Sequence, residues 1–396
     1  MLRIAYPSVL DLAAESAPVT HTLEISNGLA RLGHQVRVWA PARPPEMDFA
    51  YSRLWCFWRL PRWHRLRQWL LWREAALRFL ASHTRRRFDC IYARYEAGAG
   101  PIIRAARLAG VPLFLEINGT TRQIGTWGHL SAEDWQRLNA TWTRDLHLAT
   151  ALLTTGPGIV KSLGDLHGIA KERMFVIENG VDASTFRPLD RMECRRQRGI
   201  PPARLILGYV GSYQIYHDLK TPLQSVAQLR QQGCDSWLYC LGKGRLREGY
   251  AQLAQELGVA DFVRWLDPVP KSEVASFINC IDYALNTIHG ALAEEIRSFK
   301  LLEYLACGCP VISTRLESGA DPMARYVLEV PPDDPKALTE LLLRVRDDPA
   351  PRAQALKASQ VVAQDYSWER AARQTAAALA SFVRELNFPR RPGPVV

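Results

Sequence analysis

Short apolar runs alternate with amphipathic stretches along this chain, and the alternation starts over near its middle. Residues 3–6 and 35–39 are the first two runs, and 90–93, 113–117 and 151–154 follow. Between the first two, Leu23, Ile25, Leu29 and Leu32 recur at helical spacing over 20–32, and Gly33 ends that helix. In the second half 205–210, 237–240, 263–265, 283–285 and 311–313 read as strands. Residues 223–231, 248–257 and 299–307 read as the helices between them. Strands separated by helices cannot pair as hairpins; they need crossovers, and so predict parallel βαβ units in doubly wound sheets. The expectation is an α/β chain with two Rossmann-like domains.

With 396 residues, each half is long enough to bury its own core. The stretch 181–202 holds Pro188, Pro201, Pro202 and several arginines, and is the expected linker. The division predicted is 1–187 and 188–366, with one more amphipathic helix near 367–388. Open α/β sheets bind ligands beyond the carboxyl ends of their strands, so a cleft between two such domains is the expected binding place.

Apolar residues make up 47% and charged residues 23%, a globular mix, and no window reaches the ~18–20 apolar residues of a membrane span. Met1 to Tyr6 read directly as a strand, with no basic region leading into an apolar stretch, so no secretory leader is expected. The eight cysteines form no CxxC pair and no zinc-spaced Cys/His cluster; Cys307 and Cys309 are expected to be small buried residues. Both points favour a cytoplasmic location. The net charge of +10 implies anionic partners: nucleic acid, lipid headgroups or phosphorylated substrates.

The most informative segment runs from Glu295 to Thr314. Glu303 falls inside a helix expected to start near Ser298, and Glu295 precedes it. Free amides around 296–299 would make that helix end an anion site, and Glu303 could accept hydrogen bonds from ribose hydroxyls. Gly308 allows a turn and Pro310 stops the helix. Two glutamates at this spacing, followed by Gly-x-Pro-Val-Ile, resemble the signature of glycosyltransferase family 4, whose members have the GT-B fold of two domains facing across a cleft. Other segments resemble that family in order: Arg31-Leu-Gly33-His34, Asn179-Gly180-Val181-Asp182, Val210-Gly211-Ser212, Leu241-Gly242-Lys243-Gly244, Val269-Pro270 with Glu273, and Asp365-Tyr-Ser-Trp368-Glu369. In the family, the last helix packs back on the N-terminal domain.

The resemblance implies a retaining transferase that moves a sugar from a nucleotide diphosphate to a hydroxyl acceptor: a saccharide, a lipid-linked saccharide or a small metabolite. Its implied catalytic set is Glu295, Lys243, His217 and His21. Donor-binding positions are Gly211, Ser212, Gly242, Lys243, Val269, Ile296, Arg297, Ser298, Lys300 and Glu303. The acceptor side carries Ser16, His21, Arg94, Glu116 and Asn118. No metal, cofactor or nucleic acid is expected. The chain departs from the family at several of these. Ser16 and Ala17 stand where many members have two glycines, and Asn118 where many have histidine. Ser212 and His217 stand where an arginine and a lysine neutralise the diphosphate. Lys220, Lys243, Arg245 and Lys300 are the basic substitutes nearby, with Lys243 first.

Residues 51–88 carry ten arginines against Glu74, with Trp55, Trp58, Trp63, Trp69 and Trp72 interleaved. That is the composition of an interfacial helix, and predicts docking on an anionic inner membrane face. A core helix with a basic outer face and an acceptor-site lid are the other readings. Two alternatives to the transferase also stand: a membrane-docked or nucleotide-sugar-binding protein without activity, and a GT-B sugar-nucleotide epimerase.

Overall fold

Ile4, Ala5 and Tyr6 have no solvent exposure, because the first strand sits in the interior of a parallel sheet. In this computed structural model, residues 1–14, 16–54, 64–126, 130–293, 295–296, 298–314 and 322–387 are described. Two compact units result. One comprises Met1–Thr121, Leu130–Asn179 and Trp368–Val396; the other comprises Arg122–His129 and Gly180–Ser367.

The first unit is built on β1 (Arg3–Pro7), β2 (Gln35–Ala40), β3 (Ala50–Arg53), β4 (Cys90–Arg94), β5 (Leu113–Ile117), β6 (Ala151–Thr154) and β7 (Met174–Val176), in the order β3-β2-β1-β4-β5-β6-β7. Every pairing is parallel. The helix Ala17–Arg31 follows β1 and packs against the helix Trp368–Asn387. The approach is close: a Cβ on Gly28 would stand 2.5 Å from the Cβ of Ala372.

The second unit repeats the plan with β8 (Leu205–Val210), β9 (Ser236–Leu241), β10 (Val263–Leu266), β11 (Tyr283–Asn286), β12 (Val311–Thr314) and β13 (Val327–Val330), in the order β10-β9-β8-β11-β12-β13. In both sheets the order reverses beside the first strand, which is the Rossmann arrangement and puts a crevice at the carboxyl edge. Alternate residues of β8 feed opposite faces. Leu207 and Tyr209 join one core layer, while Val210 joins the layer under the helix Phe299–Ala306.

The stretch 181–202 is not a free linker. Val181 and Phe186 lie in the second unit's core, and Arg191–Gln197 is a helix. Arg195 is 1% exposed and donates to the carbonyls of Cys280 and Pro202, each at 2.9 Å, and to Asp282 Oδ2 at 2.5 Å. A buried guanidinium needs such partners, and supplying them fixes the segment to the unit. All seven described cysteines are free and buried.

Candidate functional site

Two glycine turns cross at the carboxyl edge of the second sheet. Gly211 leaves β8 with φ +139° and Gly242 leaves β9 with φ +150°. A Cβ on Gly242 would stand 2.0 Å from the carbonyl oxygen of Gly211, so only glycine fits there. The turns are hydrogen-bonded in series: Gly211 N donates to Leu241 O and Gly242 N to Leu266 O, each at 2.9 Å. The result is a shelf of backbone without side chains.

Lys300 lies beneath that shelf. Its Nζ and Cε would be 3.4 Å from a Cβ on Gly211. The ammonium nitrogen sits 3.9 Å from the centre of the Tyr209 ring and 3.4 Å from Nδ1 of His217. Both basic residues are buried, and no carboxylate among the described residues lies within ion-pair distance of Lys300. Burial pulls the Lys300 ammonium down to about 7, with Glu303 and Cys240 opposing the fall. Burial, then Lys300 and then His289, hold His217 well below the ordinary imidazole range.

The helix Phe299–Ala306 begins at Ser298, as its sequence predicts. The Ser298 hydroxyl does not cap its own helix; it donates to Asn286 Oδ1 at 2.6 Å. The expectation of free amides from 296 onward needs correction at its first residue. The amides of Glu295 and Ile296 both turn back onto Leu292 O at 3.1 Å, and the Ile296 side chain packs near Ile288 and Leu292. Arg297 lies outside the described residues. Glu303 is partly buried one turn into the helix, and burial pushes its carboxyl up to about 7 against the pull of Lys271 and Lys300. Its neighbour Tyr304 accepts from Val210 N at 2.7 Å, clamping the helix to the end of β8.

Glu295 is 4% exposed and accepts from Arg122 Nη1 at 3.1 Å. Ser212 is exposed and accepts on its carbonyl from the Tyr209 hydroxyl at 2.7 Å. Lys243 is also exposed; its backbone oxygen accepts from Tyr213 N at 3.2 Å. Lys220 and Arg245 are exposed as well, so among these basic substitutes Lys300 is the buried one. Val269 packs against the core layer that holds Leu301 and Tyr304.

Asp218, His289 and Asp333 bring potential ligand atoms within 4.8 Å of one another. His289 Nδ1 is 2.5 Å from Asp333 Oδ1 and its Nε2 is 3.9 Å from Asp218 Oδ1. Donors of one cation, each about 2.0–2.2 Å from it, stand roughly 3 Å apart or more. The group is an imidazole hydrogen-bonded to Asp333, with Asp218 at the edge of ion-pair range.

In the first unit the acceptor-side residues converge on Glu116. Its Oε1 lies 3.0 Å from His21 Nδ1 and 3.3 Å from Arg94 Nη1, and it accepts from Asn118 Nδ2; Tyr92 donates to its Oε2. Burial alone would raise this carboxyl, but His21, Arg94 and Tyr92 outweigh it and hold it at about 2. His21 also stands edge-on to Trp368, 5.5 Å between ring centres. Ser16 is apart from this cluster, exposed at the start of the helix Ala17–Arg31.

Residues 18–185 match the family model for Glycosyltransferase Family 4, and residues 204–348 match that for Glycosyl transferases group 1. Both halves of the chain thus match glycosyltransferase models, the first that of family 4. Among relatives of this chain, the D-inositol 3-phosphate glycosyltransferase of Mycobacterium marinum is 32% identical over 171 residues, 42% of this chain and 35% of the relative. That of Thermomonospora curvata is 30% identical over 232 residues, 53% of this chain and 52% of the relative. That of Pseudarthrobacter chlorophenolicus is 27% identical over 296 residues, 72% and 69%. The chain therefore spans about a third of the first of these relatives and about half of the second. Sucrose-phosphate synthase from Thermosynechococcus elongatus superposes with a TM-score of 0.73 at 18% identity, covering 97% of this chain and 100% of the other. HepE of Anabaena, solved with UDP and glucose, gives 0.75 at 14%, covering 96% and 100%. The fold is that of the GT-B glycosyltransferases.

Proposed function

We propose that this chain is a family 4 glycosyltransferase that moves a sugar from a nucleotide diphosphate to an acceptor hydroxyl with retention at the anomeric carbon. The observation that carries the reading is the shelf of Gly211 and Gly242 over buried Lys300, with Glu303 one turn into the adjoining helix. Bare backbone lets a diphosphate approach closely, and a low-dielectric cation beneath it stabilises the charge that grows as the glycosidic bond breaks. In this reading Lys300 supplies the charge that the family's arginine and lysine supply, with the His217 imidazole beside it. Glu303 receives the ribose hydroxyls, and Glu295, oriented by Arg122, receives the sugar. Lys243 contributes from the exposed side of its turn. The charge needed at the diphosphate is thus met by side chains and helix amides, and turnover should survive a chelator. On the acceptor side, the ionised Glu116 holds His21, Arg94 and Asn118 in place, so that a hydroxyl-bearing saccharide or metabolite meets a preset polar surface.

The test is a donor screen over UDP-, GDP-, dTDP- and ADP-sugars with and without acceptor, followed by proton NMR of the anomeric product. Transfer with retained configuration is expected. Conversion of donor to an isomer without acceptor would make the chain an epimerase, and absence of donor binding would end the enzyme reading.

We also propose that the helix His64–His83 rests on an anionic membrane surface. Leu66, Trp69 and Leu77 are exposed at helical spacing, and the Arg73 guanidinium lies 5.4 Å from the centre of the Trp69 ring. Trp55, Trp58 and Trp63 of the same basic segment fall outside the described residues. Among the described residues, no helix is long and apolar enough to cross a membrane. Flotation with vesicles containing anionic lipid should carry the protein upward, and salt should release it. Equal flotation with neutral vesicles would remove the electrostatic part of this reading.

A further inference from the structure

We infer that Lys300 is uncharged in the empty cradle and takes up a proton when a nucleoside diphosphate binds, so that donor binding is coupled to pH. The inference rests on the donor-site reading above and deepens it.

The geometry leaves little choice about the empty state. Lys300 is 6% exposed. Its nitrogen faces a second base, His217 Nδ1, at 3.4 Å, and the face of Tyr209 at 3.9 Å. No carboxylate among the described residues lies within 4.0 Å of it. An ammonium buried without a counter-charge usually loses its proton instead of remaining charged. The Tyr209 ring returns part of the cost of the charge, and less than a carboxylate would.

The other groups around the pair act in known directions. Glu303, on the same helix, and Cys240, on β9, favour the charged lysine from a distance. Glu303 is itself drawn toward Lys271. His217 has Lys300 on one side and His289 on the other, both opposing its protonation, with the Tyr216 ring tilted against it at 4.4 Å. His217 therefore stays neutral, and its Nδ1 can accept from the lysine in either state. Burial outweighs Glu303 and Cys240, and the ammonium falls to about 7.

A diphosphate on the Gly211 shelf reverses the balance. It places two negative charges next to Lys300, which then binds a proton from the solvent. The phosphate that arrives thereby creates its own counter-ion. The arrangement differs from a permanent arginine, which would carry its charge whether or not the site is filled.

The experiment is titration calorimetry of the full chain with UDP, GDP, dTDP and ADP at pH 8, in buffers of different ionisation enthalpy. The dependence of the measured heat on buffer enthalpy counts the protons exchanged. Uptake approaching one proton is expected for whichever diphosphate binds, and affinity should fall toward about tenfold per unit as pH rises above 7. Lys300→Arg should bind with no uptake and with affinity flat from pH 7 to 9. His217→Asn should keep the uptake, because the proton goes to the lysine and not to the imidazole. Binding without buffer dependence in the parent protein would overturn the inference alone. Uptake unchanged in Lys300→Arg would move the proton to another group and overturn it equally. Absence of binding by all four nucleotides would overturn the donor-site reading on which it stands.

Discussion

Arg122 donates to Glu295 Oε1 at 3.1 Å although 173 residues separate them in sequence. Glu295 is nearly enclosed while the Arg122 side chain is 43% exposed, so the guanidinium is the polar partner that keeps a buried carboxylate in one orientation. Arg122→Ala should weaken donor binding by ~1–2 kcal/mol, about tenfold, with little loss of thermal stability. Calorimetry and a melting curve on the same sample separate the two effects; a large fall in melting temperature with unchanged affinity would make the pair structural.

Glu303 is placed to bind ribose. Glu303→Ala should weaken the nucleotide by roughly 2–3 kcal/mol, and Glu303→Gln by less, since an amide oxygen still accepts. The corresponding 2′,3′-dideoxynucleotide should bind parent and variant alike. Discrimination between the two sugars that survives in Glu303→Ala assigns the ribose contact elsewhere.

The Lys300 ammonium is lowered from 10.5 to about 7. Between those values the unfolded chain binds more protons than the folded one, so folding stability rises with pH across this window. Below pH 7 the penalty is complete. Lys300→Met should therefore stabilise the protein at pH 7 by on the order of 1–3 kcal/mol, with the gain shrinking toward pH 10. Urea unfolding at several pH values reads this directly. A variant less stable than the parent at pH 7 contradicts it.

Glu116 behaves in the opposite sense. Its carboxyl lies at about 2 in the folded chain against 4.5 ordinarily. The stability it contributes is complete above pH 4.5 and is lost as pH falls toward 2. Glu116→Gln should cost about 1–3 kcal/mol at neutral pH and progressively less on acidification. Parallel denaturation curves for the two proteins at pH 7 and pH 3 make the comparison; an equal difference at both leaves the charge without a role.

Gly242→Ala tests the shelf itself. The added methyl would stand 2.0 Å from a backbone oxygen, at φ +150°, where L-residues rarely sit. A loss of several kcal/mol of stability, or of all nucleotide binding, is expected. A variant that binds UDP or its analogues as the parent does would show that the crossing is adjustable.

Strands whose residues are enclosed were readable in the sequence, since β1, β5, β8 and β11 are mostly apolar, with Glu116 the charged exception inside β5. The strands not anticipated, β3, β7 and β13, stand at sheet edges, are three or four residues long and are partly exposed, so periodicity has little to register. The glycine turns and the helix start at Ser298 are local and were legible as spacing. Arg122 and the Tyr209 platform were not, because their partners, Glu295 and Lys300, lie far from them in sequence. Lys243 stood out in sequence for its glycine neighbours; burial, which sequence does not report, directs attention to Lys300 instead.

The helix Trp368–Asn387 belongs with residues 1–179, and Gly28 is hollowed to receive Ala372. A ribosome must therefore translate the whole second sheet before the first can close its surface. Until then an apolar flank of the helix Ala17–Arg31 stays open to chaperones or to other nascent chains. A fragment ending near residue 180 would carry that defect permanently.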